Sequence, residues 1–133
     1  MQKTYIMVKP DGMAKEGVVA NIKGRVAGAG FTIEKEREFT LTEAQVRDHY
    51  DFLVEKPFFG EILEFMTSGS VLGMVVAGEN VVLAMRDMIG VTNPAAAAEG
   101  TIRKEFGTDV MRNVVHASES VECAEVEIKR FFG

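Results

Sequence analysis

The stretch Val71-Leu72-Gly73-Met74-Val75-Val76-Ala77 carries no polar side chain. An apolar run of strand length with no alternation predicts a central strand covered on both faces of a sheet. The uncharged segment around it, Met66 to Gly78, falls short of the roughly 18 apolar residues of a membrane span and contains Thr67, Ser68, Gly69 and Ser70.

The other elements are read around that strand. Tyr5 to Val8 is a short apolar run that stops at Lys9-Pro10-Asp11-Gly12, which predicts a strand feeding a turn. Val18, Val19, Ile22 and Val26 have helical spacing, with Gly28 and Gly30 to end the helix. Phe31, Ile33 and Phe39 share one parity among charged residues, a second and partly polar strand. Thr42 and Gln45 form a capping-box pattern, with Leu41 and Val46 as a hydrophobic staple. The stripe runs on through Tyr50 and Leu53 until Pro57 breaks it, and Phe59, Ile62, Leu63 and Met66 make another. Asn80 is placed to cap a helix carrying Val81, Ala84, Met85 and Met88. Gly90 to Gly100 has no periodicity and predicts a loop, with Thr101 capping a short turn after it. Val114 and Val115 lead into His116, and Ser120 caps a last helix with Val121, Ala124, Ile128 and Phe131 facing in. This order suits a split βαβ arrangement of the ferredoxin-like kind. No G-x-G-x-x-G follows the first strand and no G-x-x-x-x-G-K-[ST] occurs, so Rossmann and P-loop readings lack their fingerprints.

No linker or repeat divides the 133 residues, which predicts one domain over residues 1–133. Lys plus Arg number 15 against 20 Asp plus Glu, a net charge of −5. That balance argues against a general nucleic-acid or membrane-surface binder, while a few placed cations could still hold an anionic small ligand. The start of the chain lacks a signal-peptide layout, and the single Cys123 has no internal disulfide partner, so a cytoplasmic protein is expected.

Chemistry is restricted by the presence of only two histidines. No His pair has ligand spacing and Cys123 is alone, so no metal site is expected. His49 reads as a solvated or capping residue, and Cys123 as small, buried and inert. His116 ends an apolar strand and has two readings, a satisfied structural histidine or a nucleophile. Glu127 lies between the faces of Ala124 and Phe131, so it leans toward the core unless it is a plain surface glutamate. A carboxylate accepting the Nδ1 hydrogen of an imidazole would leave the other nitrogen free to attack. Lys9, Arg86, Arg103 and Arg112 stand near turns or strand ends and could bind phosphate, although each alone reads as a solvated cation. Phe58 departs from the Phe59 stripe, either as a ring free to stack on a base or as a second core residue.

Asn113-Val114-Val115-His116-Ala117-Ser118-Glu119-Ser120 closely resembles the active-site signature of nucleoside diphosphate kinases. The resemblance extends through Val8-Lys9-Pro10-Asp11-Gly12, His49-Tyr50, Lys56-Pro57-Phe58-Phe59, Thr92-Asn93-Pro94 and Gly100-Thr101-Ile102-Arg103. It implies an α+β ferredoxin-like βαββαβ sandwich with an antiparallel sheet, extra helices and a nucleotide-binding loop. It also implies transfer of a γ-phosphate from a nucleoside triphosphate to a nucleoside diphosphate, with Mg²⁺ carried mainly on the phosphates, through a phosphohistidine. By position, His116 would be the nucleophile, with Glu127 and Ser118 orienting it. Lys9, Arg86, Thr92 and Arg103 would hold phosphates, with Tyr50 beside the γ-phosphate. Asn113 and Lys9 would bind the ribose, and Phe58, Ile62 and Val110 the base. Nδ1 of His116 would face the phosphate, leaving Nε2–H for a backbone carbonyl. A homo-oligomer built from dimers, as tetramer or hexamer, is implied, with no membrane or specific nucleic-acid partner. Ala117 and Glu119 stand where Gly and Asp are usual in the family, and Ala96 and Glu99 where Asp and Pro are common. The competing readings are a non-catalytic nucleotide-binding regulator on the same fold and a single-stranded nucleic-acid module, the latter disfavoured by the acidic charge.

Overall fold

The computed structural model describes residues 1–133. Four strands, β1 (Gln2–Val8), β2 (Thr32–Phe39), β3 (Val71–Gly78) and β4 (Val115–Ala117), form one sheet in the order β2-β3-β1-β4. Every neighbouring pair is antiparallel. The apolar run of β3 lies inside the sheet and is buried throughout, as expected for a strand covered on both faces.

Strand alternation sends side chains into two layers. Ile6, Val8, Leu72, Met74, Val76, Val115 and Ala117 pack on one face against helices α2 (Val18–Gly28), α5 (Val81–Ile89) and α6 (Ile102–Phe106). Tyr5, Met7 and Val71 pack on the other against α3 (Glu43–His49), α4 (Phe59–Met66) and α7 (Val121–Phe132). His116 pairs with Met7 in the sheet, so its side chain belongs to this second face.

The capping box at Thr42 and Gln45 forms both of its reciprocal bonds. Thr101 and Ser120 likewise accept from the backbone N–H three residues on. Four local expectations change. The Lys9–Gly12 turn is the start of a short helix, α1 (Pro10–Ala14), because a proline at the first turn is pre-set for helical φ. Asn80 occupies the N-cap of α5 but sits at φ +53° and its side chain makes no capping bond. In β2 the register shifts between Ile33 and Lys35, so Ile33 packs on the first layer and Phe39 on the second; one bulge residue flips the parity that the sequence kept uniform. Val121 is exposed at the first turn of α7, outside the inward stripe. No helix is long and apolar enough to cross a membrane.

Gly73 is fixed by its neighbour. A Cβ there would lie 2.5 Å from Tyr5 Oη and 3.2 Å from the ring, and Tyr5 is fully buried. Gly73→Ala should cost about 1–3 kcal/mol of folding stability by overpacking. Urea unfolding reads this, and an unchanged midpoint would refute the packing argument.

Candidate active site

Two backbone features bring the ends of the chain together. The Lys9 amide donates to Val114 O at 2.8 Å, and the Val114 amide donates to Asp11 Oδ2 at 3.1 Å. Val114 is held at φ +78°, a region that a β-branched residue adopts only when its surroundings impose it. Gly12 makes the approach possible, since a Cβ there would meet Val114 O and Val8 Cγ1 at 2.8 Å. The start of α1 is thus clamped to the turn that precedes His116.

His116 and α7 meet on the second face of the sheet. His116 Nε2 lies 2.7 Å from Glu127 Oε1, and Ser118 Oγ donates to the same oxygen at 2.7 Å. The fully buried Ser118 also accepts from the Tyr5 amide at 3.2 Å, tying the carboxylate to β1. Burial pushes the Glu127 carboxyl up, but the hydrogen bond and charge of His116 and the Ser118 hydroxyl outweigh it, leaving its pKa below the ordinary value. An ionised Glu127 takes the Nε2 hydrogen and leaves Nδ1 with a free lone pair. The Glu127 contact therefore falls on Nε2. This corrects the sequence-derived Nδ1 contact, and it also places a carboxylate where a backbone carbonyl was expected. The reason is tertiary: α7 crosses the face from which His116 projects.

A cleft of about 1110 Å³ opens beside this pair. It is lined by Lys9, Tyr50, Phe58, Ile62, Arg86, Thr92, Arg103, Val110, Asn113, His116 and Glu127. Ser118 acts from behind them. Lys9 Nζ donates to Asn113 Oδ1 at 2.8 Å, and Asn113 Nδ2 donates to Thr92 O and Val110 O at 3.0 and 2.9 Å. Burial, reinforced by Arg103, lowers the Lys9 pKa to about 8 against the pull of Asp11. Arg103 spends Nη1 on Gly90 O and Nη2 on Val115 O, and its buried Nε has no protein partner. Burial and nearby Arg86 lower its pKa to about 10. Arg86 donates to Ala117 O at 3.3 Å. Tyr50 Oη contacts Met66 Sδ at 3.9 Å, and burial, with Glu127 second, raises its pKa. Phe58 is 45% exposed and Val110 56%, two apolar surfaces facing solvent at the cleft.

Three expectations are corrected here. Arg112 pairs with Asp109 on the exposed surface at 2.9 Å and does not line the cleft; an acidic residue three positions away captures it first. His49 is 8% exposed, not solvated, and its ring stands edge-on to His116 with centroids 4.6 Å apart. Its neighbour in sequence, Tyr50, was the only signal for it. Cys123 is partly exposed and lines the cleft, as does Arg130, one turn beyond Glu127.

His49, His116 and Glu127 offer ligand atoms within 4.8 Å of one another. Their chemistry disfavours a metal: Nε2 of His116 is bonded to Glu127, Nδ1 of His49 lies 3.0 Å from Arg130 Nη1, and Lys9, Arg86 and Arg103 line the same cleft. Such a field attracts anions.

An oriented imidazole beside guanidinium groups, on a ferredoxin-like sheet, is the arrangement of a phosphoryl-transfer enzyme. A family model described as nucleoside diphosphate kinase matches residues 2–133. The nucleoside diphosphate kinase of Halalkalibacterium halodurans is 46% identical over 132 residues, covering 99% of this chain and 89% of that protein. The Archaeoglobus fulgidus enzyme is also 46% identical, with 99% and 87% covered. A crystal structure of the nucleoside diphosphate kinase from Encephalitozoon cuniculi superposes with a TM-score of 0.95 at 39% identity, covering 100% of this chain and 90% of that one. The Aquifex aeolicus enzyme gives 0.92 at 38%, covering 99% and 95%. The chain belongs to the nucleoside diphosphate kinase family.

Proposed function

We propose that this chain, acting as one domain over residues 1–133, moves the γ-phosphate of a nucleoside triphosphate onto a nucleoside diphosphate by way of a phosphohistidine on His116. The observation that carries this reading is the 2.7 Å contact between His116 Nε2 and Glu127 Oε1 at the cleft wall. Glu127 holds the proton on Nε2, and the Nδ1 lone pair attacks γ-phosphorus as the bond to the β-phosphate oxygen breaks. The diphosphate leaves, a second enters, and its terminal oxygen takes the phosphoryl group back. One cleft thus serves both half-reactions, which requires a covalent carrier.

Lys9, Arg86, Thr92 and Arg103 bind the phosphates, with Tyr50 beside the transferred group. Lys9 and Asn113 take the ribose hydroxyls. Phe58, Val110 and Ile62 hold the base through apolar surface, so recognition does not depend on which base it is. Glu127 is engaged with His116 and Ser118, while Asp51, Glu119 and Glu122 are exposed. The cleft thus lacks an enclosed oxygen cage, and Mg²⁺ fits as an ion carried on the nucleotide phosphates with water. When bound, it offsets phosphate charge.

Incubation with γ-labelled ATP should place alkali-stable, acid-labile label on the wild-type chain and none on His116→Ala. Glu127→Ala should keep nucleotide binding and lose about 10–10³-fold in kcat. Acceptance of ADP, GDP, CDP and dTDP should vary by no more than about 10²-fold in kcat/KM. Acid-stable label, label on His116→Ala or strict use of one base would overturn the reading.

The charged form of Lys9 is the one that favours phosphate. Its free pKa of about 8 means that the cation is present below that pH and lost above it. Affinity for ADP should therefore fall as pH rises through the 8–10 range, by up to about tenfold per pH unit. Lys9→Met should bind more weakly below pH 8 and lose that slope, as calorimetric titration would read.

We also propose a homo-oligomer built from dimers, as tetramer or hexamer. β2 forms an exposed sheet edge available for pairing with a second copy. Light scattering over a dilution series should return a multiple of 14.6 kDa; a monomer at micromolar concentration would contradict it.

A further inference from the structure

Glu127 and Arg130 lie three residues apart on α7, on the same helical face. An acid and a base so placed normally pair. Here they do not: Glu127 binds His116 and Ser118, while Arg130 donates through Nε to Asp48 Oδ2 at 2.9 Å. Its Nη1 lies 3.0 Å from His49 Nδ1. Arg130 and Glu127 have side chains only 17% and 12% exposed, so a pairing between them would be little screened. Asp48 is 66% exposed, and such a partner alone holds a guanidinium weakly. His49 is the buried half of the anchor. An arginine is always a donor, so His49 Nδ1 must be the acceptor, and the ring carries its proton on Nε2. Burial, with His116 next, lowers the His49 pKa to about 3, which keeps Nδ1 available as an acceptor.

We propose that His49 is a positioning residue that holds the Arg130 guanidinium away from Glu127, so that the carboxylate remains committed to Nε2 of His116. Without it, Arg130 swings one helical turn back onto Glu127. The bond that fixes the His116 tautomer is then lost, and Nδ1 carries the proton for part of the time. The edge-on ring contact with His116 adds steric support to the same orientation. This inference rests on the phosphohistidine reading above.

The test is a double-mutant cycle read by single-turnover labelling with γ-labelled ATP. His49→Phe keeps a ring among Tyr50, His116 and Phe131 but removes the acceptor. It should slow labelling about 10–100-fold, with ADP affinity changed less than about threefold. His49→Gln, whose amide oxygen can accept the same N–H, should lose much less. Adding Arg130→Met to His49→Phe should restore the rate to within about threefold of wild type, because the competing cation is gone. Nitrogen-15 NMR should show the Nε2-protonated tautomer of His116 diminished in His49→Phe and recovered in the double variant. A purely structural role for His49 predicts no such rescue. Labelling of His49→Phe at the wild-type rate, or a double variant as slow as the single, overturns the inference. If His49→Phe fails to fold, His49→Gln losing as much rate as His49→Ala does so instead. Absence of label on His116 in the wild-type chain would instead refute the phosphohistidine reading itself.

Discussion

The 2.7 Å contact between His116 Nε2 and Glu127 Oε1 joins two consecutive elements, and Ser118 ties them to the first strand, more than a hundred residues earlier. His116 comes from β4, Glu127 from α7, and Ser118 links the carboxylate to the Tyr5 amide on β1. A half-buried carboxylate is costly unless its lone pairs are satisfied. Here two donors converge on one oxygen, which keeps the carboxylate charged despite its burial. The sheet register sets His116 on the face that α7 crosses, and the Ser120 cap starts α7 close behind it.

The second constraint is the clamp between α1 and the turn at Val114. A valine at positive φ is unfavourable by about 1–3 kcal/mol, and the structure offsets this with the Asp11 acceptor and the Lys9 amide. Lys9 and His116 are thereby held at one end of the sheet by backbone, not by flexible side chains. Pre-placed cations such as Lys9, Arg86 and Arg103 along its wall give the cleft a standing preference for anions. An acidic protein can therefore carry a phosphate site, because what counts is the local field and not the net charge of −5.

Much of the fold was legible because it rests on local rules. The β3 run, the capping residues Thr42, Thr101 and Ser120, and the helix stripes all follow from spacing and side-chain chemistry. What escaped depends on partners elsewhere in the chain. The bulge after Ile33 exchanges the face on which Phe39 packs, and nothing in the alternation of β2 marks the extra residue. Arg112 resembled a phosphate ligand until Asp109 claimed it. His49 looked solvated, because polar neighbours on a short helix say nothing of the helix and strand that cover it.

By itself the sequence determined the order of the four strands and the main helices, and it pointed to His116, Glu127 and the cations Lys9, Arg86 and Arg103 as candidate site residues, because those follow from residue type, periodicity and resemblance. Only the tertiary structure decided which ring nitrogen of His116 the carboxylate engages, and that His49 and Arg130 stand beside it. Those are questions of direction and distance between groups on different packed elements. A hydrogen bond forms only when the packed elements leave donor and acceptor within about 3 Å.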